Sequence, residues 1–178
     1  MTPVVRSTLD VALWFVERAE SGGATLSNRK LQSLLYLAQA HFANANRGRR
    51  LMPAVFLAAD AGPIEPTIYH MFQDGPPRLI NTVPGTKVAA FLGQVWERYT
   101  QLSDEQLGEE VTKDPHYLSA HTTGRMSEIR VAGPGRDESP QVPQAAPTGT
   151  STPMTMDGRK ASAWAPGSYG KGGATNSD

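Results

Sequence analysis

Cysteine is absent from the 178-residue chain, which excludes disulfides, thiolate nucleophiles and zinc sites built on sulfur, and fits a reducing compartment. Net charge is absent as well. Lys and Arg together number 17 and Asp and Glu number 17, so no global field draws the chain towards nucleic acid or an anionic membrane. No stretch approaches the roughly 18 consecutive apolar residues of a membrane span, and the opening MTPVVRSTLD lacks a charged leader followed by a long apolar run. These absences predict a soluble, cytoplasmic protein without a membrane partner.

Signatures of catalysis are missing too. Four histidines are present, His41, His70, His116 and His121, but none sits in an HExxH-like pair with carboxylates spaced as ligands. No GxSxG elbow occurs, and the serines fall at helix caps or in the C-terminal stretch. Gly22-Gly23 runs on into Ala24-Thr25-Leu26 without the lysine of a phosphate-binding loop, so it reads as a helix stop. The chain shows no internal repeat, which argues against a solenoid. The expectation is a protein that is not an enzyme, with no catalytic residue, metal or cofactor.

What is present is helical punctuation. Ser7 caps a helix that runs to Glu20, with Asp10 in capping-box position and Leu9, Ala12, Leu13 and Val16 on one face. Ser27 opens a second helix whose Leu31, Leu34, Leu35, Ala38 and Phe42 repeat at helical period and should lie across the core, with Arg29, Gln32, Ser33 and Gln39 on other faces. The Ala54 to Ala59 run reads equally as a brief strand or a buried loop. Gly62-Pro63 breaks the chain. Pro66 then starts a short helix with Ile68, Tyr69 and Phe72 on its buried side. Thr86 to Gln101 carries the next apolar stripe, Ser103 and Gln106 form a capping box for residues 104–112, and a last short helix follows Pro115. From about Val131 close to half of the residues are Gly, Pro, Ser or Thr, and ordering such a segment gains too little burial to offset its entropy. The fold class is therefore expected to be all-α over residues 1–126, with at most one small β-hairpin near residues 51–59, followed by a disordered tail over 127–178.

Candidate contact residues fall in three groups. Gln32, Tyr36 and Gln39 form a stripe at i, i+4, i+7 beside the leucine face of the second helix, either a packed flank with satisfied hydrogen bonds or a binding face. Arg47, Arg49 and Arg50 make the densest basic cluster; guanidinium groups suit bidentate contact with carboxylates or phosphates, and three in one turn need counter-charges. Trp164 and Tyr169 are aromatics placed in a polar tail, as anchors for a partner.

The order and spacing of Lys30, Leu31, Gln32, Leu34, Leu35, Tyr36, Ala38 and Gln39, then Leu51, Gly62, Pro63, Pro66, Tyr69 and Phe72, resembles the Panacea antitoxin-domain family, SocA-like and GepA-like, over roughly residues 8–126. The resemblance implies a mostly helical domain that binds and neutralises a toxin encoded beside it. Tyr69 joins the candidate contact residues on this ground. The SocA-type branch further implies an adaptor that brings its toxin to the ClpXP protease, and Glu128-Ile129-Arg130-Val131, read as lying just past the folded part, looks loosely similar to a docking peptide for the unfoldase. The chain departs from the family ahead of Gly62-Pro63: Ala59 and Ala61 stand where a tryptophan and another aromatic are usual, and Trp14 or Trp96 is the candidate to fill that space. The rival reading from another class is a DNA-binding regulator or autorepressor using the second helix or the Arg47 loop.

Overall fold

Five of the six described helices start at a side-chain cap. In the computed structural model, which describes residues 2–77 and 84–131, α1 spans Thr8–Ser21 and the Ser7 hydroxyl accepts from the Leu9 amide at 3.1 Å. Its end is closed by the Gly22, Gly23 and Ala24 amides, which return to the Ala19 and Glu20 carbonyls at 2.9–3.0 Å. Gly23 takes the left-handed φ of 72°, which only glycine adopts without a Cβ penalty. The double glycine is the helix stop expected.

α2, Asn28–Ala45, is the spine of the fold. The Ser27 side chain accepts from the Lys30 amide at 3.0 Å and donates to Asp104 at 2.5 Å. α2 packs against α1, α3 (Pro66–Met71), α4 (Thr86–Tyr99), α5 (Asp104–Thr112) and strand β2 (Gly62–Ile64). Leu31, Leu34, Leu35, Tyr36 and Ala38 are wholly buried, and each leucine contributes roughly 1.5–3 kcal/mol. Because neighbours surround it, α2 also buries Gln32, Ser33 and Gln39, which the helical period places off the leucine face.

The described residues are mainly helical, but not all-α. A three-stranded antiparallel sheet of order β2-β1-β3 takes the place of a single hairpin, with β1 at Phe56–Ala59 in its centre and β3 at Glu128–Ile129 on its edge. Leu57 pairs with Ile64 on one side and Glu128 on the other. Phe56 and Ala58 face the core while Leu57 and Ala59 are half-covered, the alternation of a one-sided sheet. Pro63 is tolerated because β2 is an edge strand. Two expectations are corrected here. The hairpin expected near residues 51–59 has its first strand there, at Phe56–Ala59, and its second beyond it, at Gly62–Ile64. The Glu128–Val131 segment is not an appendage past the fold: Ile129 is buried in the core and Val131 packs against it.

α5 opens with both bonds of the Ser103–Gln106 capping box, and Asp114 caps α6 (Pro115–Thr123) by accepting from the His116 and Tyr117 amides. Trp14 and Trp96 pack around Phe15, at 5.3 and 6.4 Å between ring centroids. At the Asp60-Ala61 turn the Tyr117 hydroxyl donates to the Ala59 carbonyl at 2.6 Å, with Val111 against Gly62. Trp164 and Tyr169 lie outside the described residues.

Candidate partner-binding surface

The two glutamines of α2 are bonded to the backbone of the segment that runs over it. The Gln39 carbonyl oxygen accepts from the Leu51 and Met52 amides, both at 3.1 Å, and its amide nitrogen donates to the Met52 carbonyl at 3.4 Å. Seven residues earlier, the Gln32 oxygen accepts from the Glu65 amide at 2.7 Å while its nitrogen meets Asn28 Oδ1 at 3.3 Å. A carboxamide supplies an acceptor and two donors at once, which is what buried backbone outside helix and sheet requires. The stripe is thus the packed flank of the two alternatives, and its glutamines act on the surface through the loops they pin.

Tyr36 completes the stripe. Its ring meets Phe56 edge-on at 5.4 Å. Among the described residues no group meets hydrogen-bond geometry with its hydroxyl, and burial, reinforced by the negative charge of nearby Asp114, raises the phenol well above its ordinary range. Tyr36 is a neutral core group.

Lys30 is also a clamp, since its ammonium donates to the Thr100 and Leu102 carbonyls at 2.8 and 2.7 Å, beyond the end of α4. A cation at a helix C-terminus meets carbonyls without intrahelical partners.

These bonds determine what the surface displays. α3 has six residues, too few to persist alone. It is held by Ile68 and Phe72 in the core, by the Glu65 side chain accepting from the Ile68 amide at 2.7 Å, and by Asn28 donating to the Tyr69 carbonyl at 2.8 Å. Tyr69, expected on the buried side, is instead 41% exposed, and Met71 is 39% exposed. The backbone is fixed and the apolar side chains stand in solvent.

At the other end of α2, Arg47, Arg49 and Arg50 are all exposed. About 1.5 Å of rise per residue sets the Asn28 and Asn46 ends of α2 roughly 27 Å apart. The structure therefore links Gln32 to the Tyr69 backbone through Asn28 and sets Gln39 under the Leu51-Met52 segment that follows the arginines.

The histidines are dispersed. His41 Nε2 lies 2.6 Å from the Tyr99 hydroxyl with the rings stacked at 5.7 Å. Burial lowers its pKa, the positive Arg98 lowers it further, and Asp114 offsets part of the shift. His121 stacks on Tyr117 and meets Asp60, which also pairs with Arg125 at 3.2 Å. His70 contacts Gln73. Among the described residues no three His, Cys, Asp or Glu side chains group as metal ligands. The His41–Tyr99 pair escaped sequence reading because its members stand 58 residues apart.

No protein-family model matches the chain, and no solved structure matches it. Among curated proteins, Antitoxin SocA of Caulobacter vibrioides (strain NA1000 / CB15N) is 36% identical to it over 72 residues, 40% of this chain and 38% of that protein. The chain thus spans well under half the length of the curated relative it matches. Among the described residues no helix is long and apolar enough to cross a membrane.

Proposed function

We propose that this protein is a cytoplasmic antitoxin of the Panacea type that binds and neutralises a protein toxin, with no turnover of its own. The observation that carries this reading is the 36% identity with an antitoxin over 72 residues. The pinned α3, which displays Tyr69 and Met71 on a fixed backbone, is consistent with it: aromatic and sulfur side chains presented without a backbone ordering cost suit a protein interface.

The finer assignment divides the work along the chain. The helical domain, set by sequence at residues 1–126 and extended by its edge strand to Ile129, binds the toxin. The stretch that follows, with Trp164 and Tyr169, delivers the captured toxin to the ClpXP protease. An adaptor needs only two binding surfaces and a flexible connection, which raises the local concentration of cargo at the protease. Truncation after Val131 is the test. Retained toxin binding with slower toxin degradation supports delivery by the tail, whereas loss of binding assigns Trp164 and Tyr169 to the neutralising interface.

The exposed arginines favour one other reading, a DNA-binding regulator. Binding that rests on several phosphate contacts weakens by orders of magnitude between low and moderate salt, and a packed protein interface changes less. Tight, salt-sensitive duplex binding without toxin binding selects the regulator.

A further inference from the structure

We infer that the loop after α2 is a docking site for a cluster of carboxylates on a protein partner, through Arg47, Arg49 and Arg50; this rests on the antitoxin reading and names the chemistry of the toxin face. Three exposed guanidinium groups crowd one turn, and none of them forms an ion pair among the described residues. They repel one another until a partner supplies opposite charge. At the end of α2 the Phe42 and Ala43 carbonyls are taken by the Asn46 and Gly48 amides, at 3.0 and 2.8 Å.

The turn is built at a cost. Arg47 sits at a φ of 52°, a left-handed conformation in which glycine or asparagine is favoured after a helix and a longer side chain is strained. The platform beneath is fixed: the Arg50 and Leu51 carbonyls accept from Val4 and Val5 at 3.2 and 2.8 Å, while Gln39 holds Leu51 and Met52 from behind. Strain and like-charge repulsion on a rigid platform are what a preformed binding site carries.

Carboxylates on a protein fit better than nucleic-acid phosphates. Four consecutive residues span at most about 11 Å of backbone, and three cations neutralise three phosphates at most, a small electrostatic gain on duplex DNA, whereas the same three groups match two or three acidic side chains on a protein. The chain as a whole is neutral. The same segment also exposes Pro53 and Val55, the latter 47% accessible, which supplies the apolar contact of a protein interface beside the charges.

The test uses the full chain, a fluorescent deca-glutamate peptide and, in parallel, a duplex DNA, each at low salt. The expected result is peptide binding that falls at least tenfold in the Arg47→Glu/Arg49→Glu/Arg50→Glu variant, with an unchanged circular dichroism spectrum. A single Arg47→Gly variant separates docking from stability: relief of strain raises the unfolding midpoint by a degree or more while peptide binding weakens. Equal peptide binding by wild type and triple variant overturns the inference. So does arginine-dependent duplex binding tighter than peptide binding, which assigns the loop to phosphate. An arginine-dependent dimer likewise overturns it by assigning the loop to acidic side chains of a second copy. Co-expression with the product of the adjacent reading frame keeps the two readings apart: a triple variant that neutralises as well as wild type refutes the loop alone, and a wild type that fails to neutralise refutes the antitoxin reading, with the peptide result standing by itself.

Discussion

Replacing Gln39 with methionine keeps the length and bulk of the side chain but removes all three of its hydrogen bonds, to the Leu51 and Met52 amides and the Met52 carbonyl. Leu51 and Met52 are fully buried, so those backbone groups have no ready access to water. Each orphaned buried group costs about 1–3 kcal/mol. With some relief from water entering beside the exposed Arg50, the loss comes to about 3–5 kcal/mol. For a domain of this size a loss of 1 kcal/mol lowers the unfolding midpoint by roughly 3–5 °C, so the variant should melt at least about 10 °C below wild type. Amide hydrogen exchange supplies the residue-level assay, since Leu51 and Met52 should lose protection ahead of Leu34 and Leu35 in the spine. A midpoint within about 3 °C of wild type, with both amides still protected, would refute the claim that Gln39 pins this segment.

Leu35→Asp places an unpaired carboxylate at a site with no solvent access, a cost of several kcal/mol; a soluble, cooperatively folded variant by circular dichroism would show the burial to be wrong. Lys30→Met deletes the two bonds to the Thr100 and Leu102 carbonyls and should cost about 2–3 kcal/mol in urea denaturation, with an unchanged midpoint counting against the clamp. His41 is held below its ordinary pKa of 6.5, so from 6.5 downward the unfolded chain binds a proton that the folded one refuses. His41 therefore contributes stability fully above that pH and loses it as pH falls towards its folded value. His41→Gln should flatten this part of the urea profile, and an imidazole titration by NMR at or above 6.5 would contradict the cause given.

Helices were legible because their signals are local. Ser27, Ser103 with Gln106, and the Gly22-Gly23 stop each act within a few residues, and all perform as caps. The sheet was less so. β2 contains Gly62 and Pro63, which read as a break, and β3 has two residues, too few for a period, paired with β1 across some 70 positions of chain. Periodicity placed Gln32, Tyr36 and Gln39 on one stripe, but a stripe does not say which segment passes over it; only the fold brings Leu51, Met52 and Glu65 there. Tyr69 was misplaced for a related reason. A helix of six residues turns less than twice, so Ile68 within it and Phe72 at its C-cap exhaust the inner face. The arginine cluster was readable as a cluster, while the left-handed turn that carries it was not.

Growing cells distinguish an antitoxin from any other role. The adjacent reading frame is induced alone and then together with the full chain, wild type or Tyr69→Asp, and growth and co-purification are followed. Tyr69 lies outside the core, so the variant should fold as wild type does. The account predicts arrest by the neighbouring product, rescue and a stable complex with wild type, and impaired rescue with Tyr69→Asp. A neighbouring product that arrests growth, is not relieved by the wild-type chain and does not co-purify with it would contradict the account.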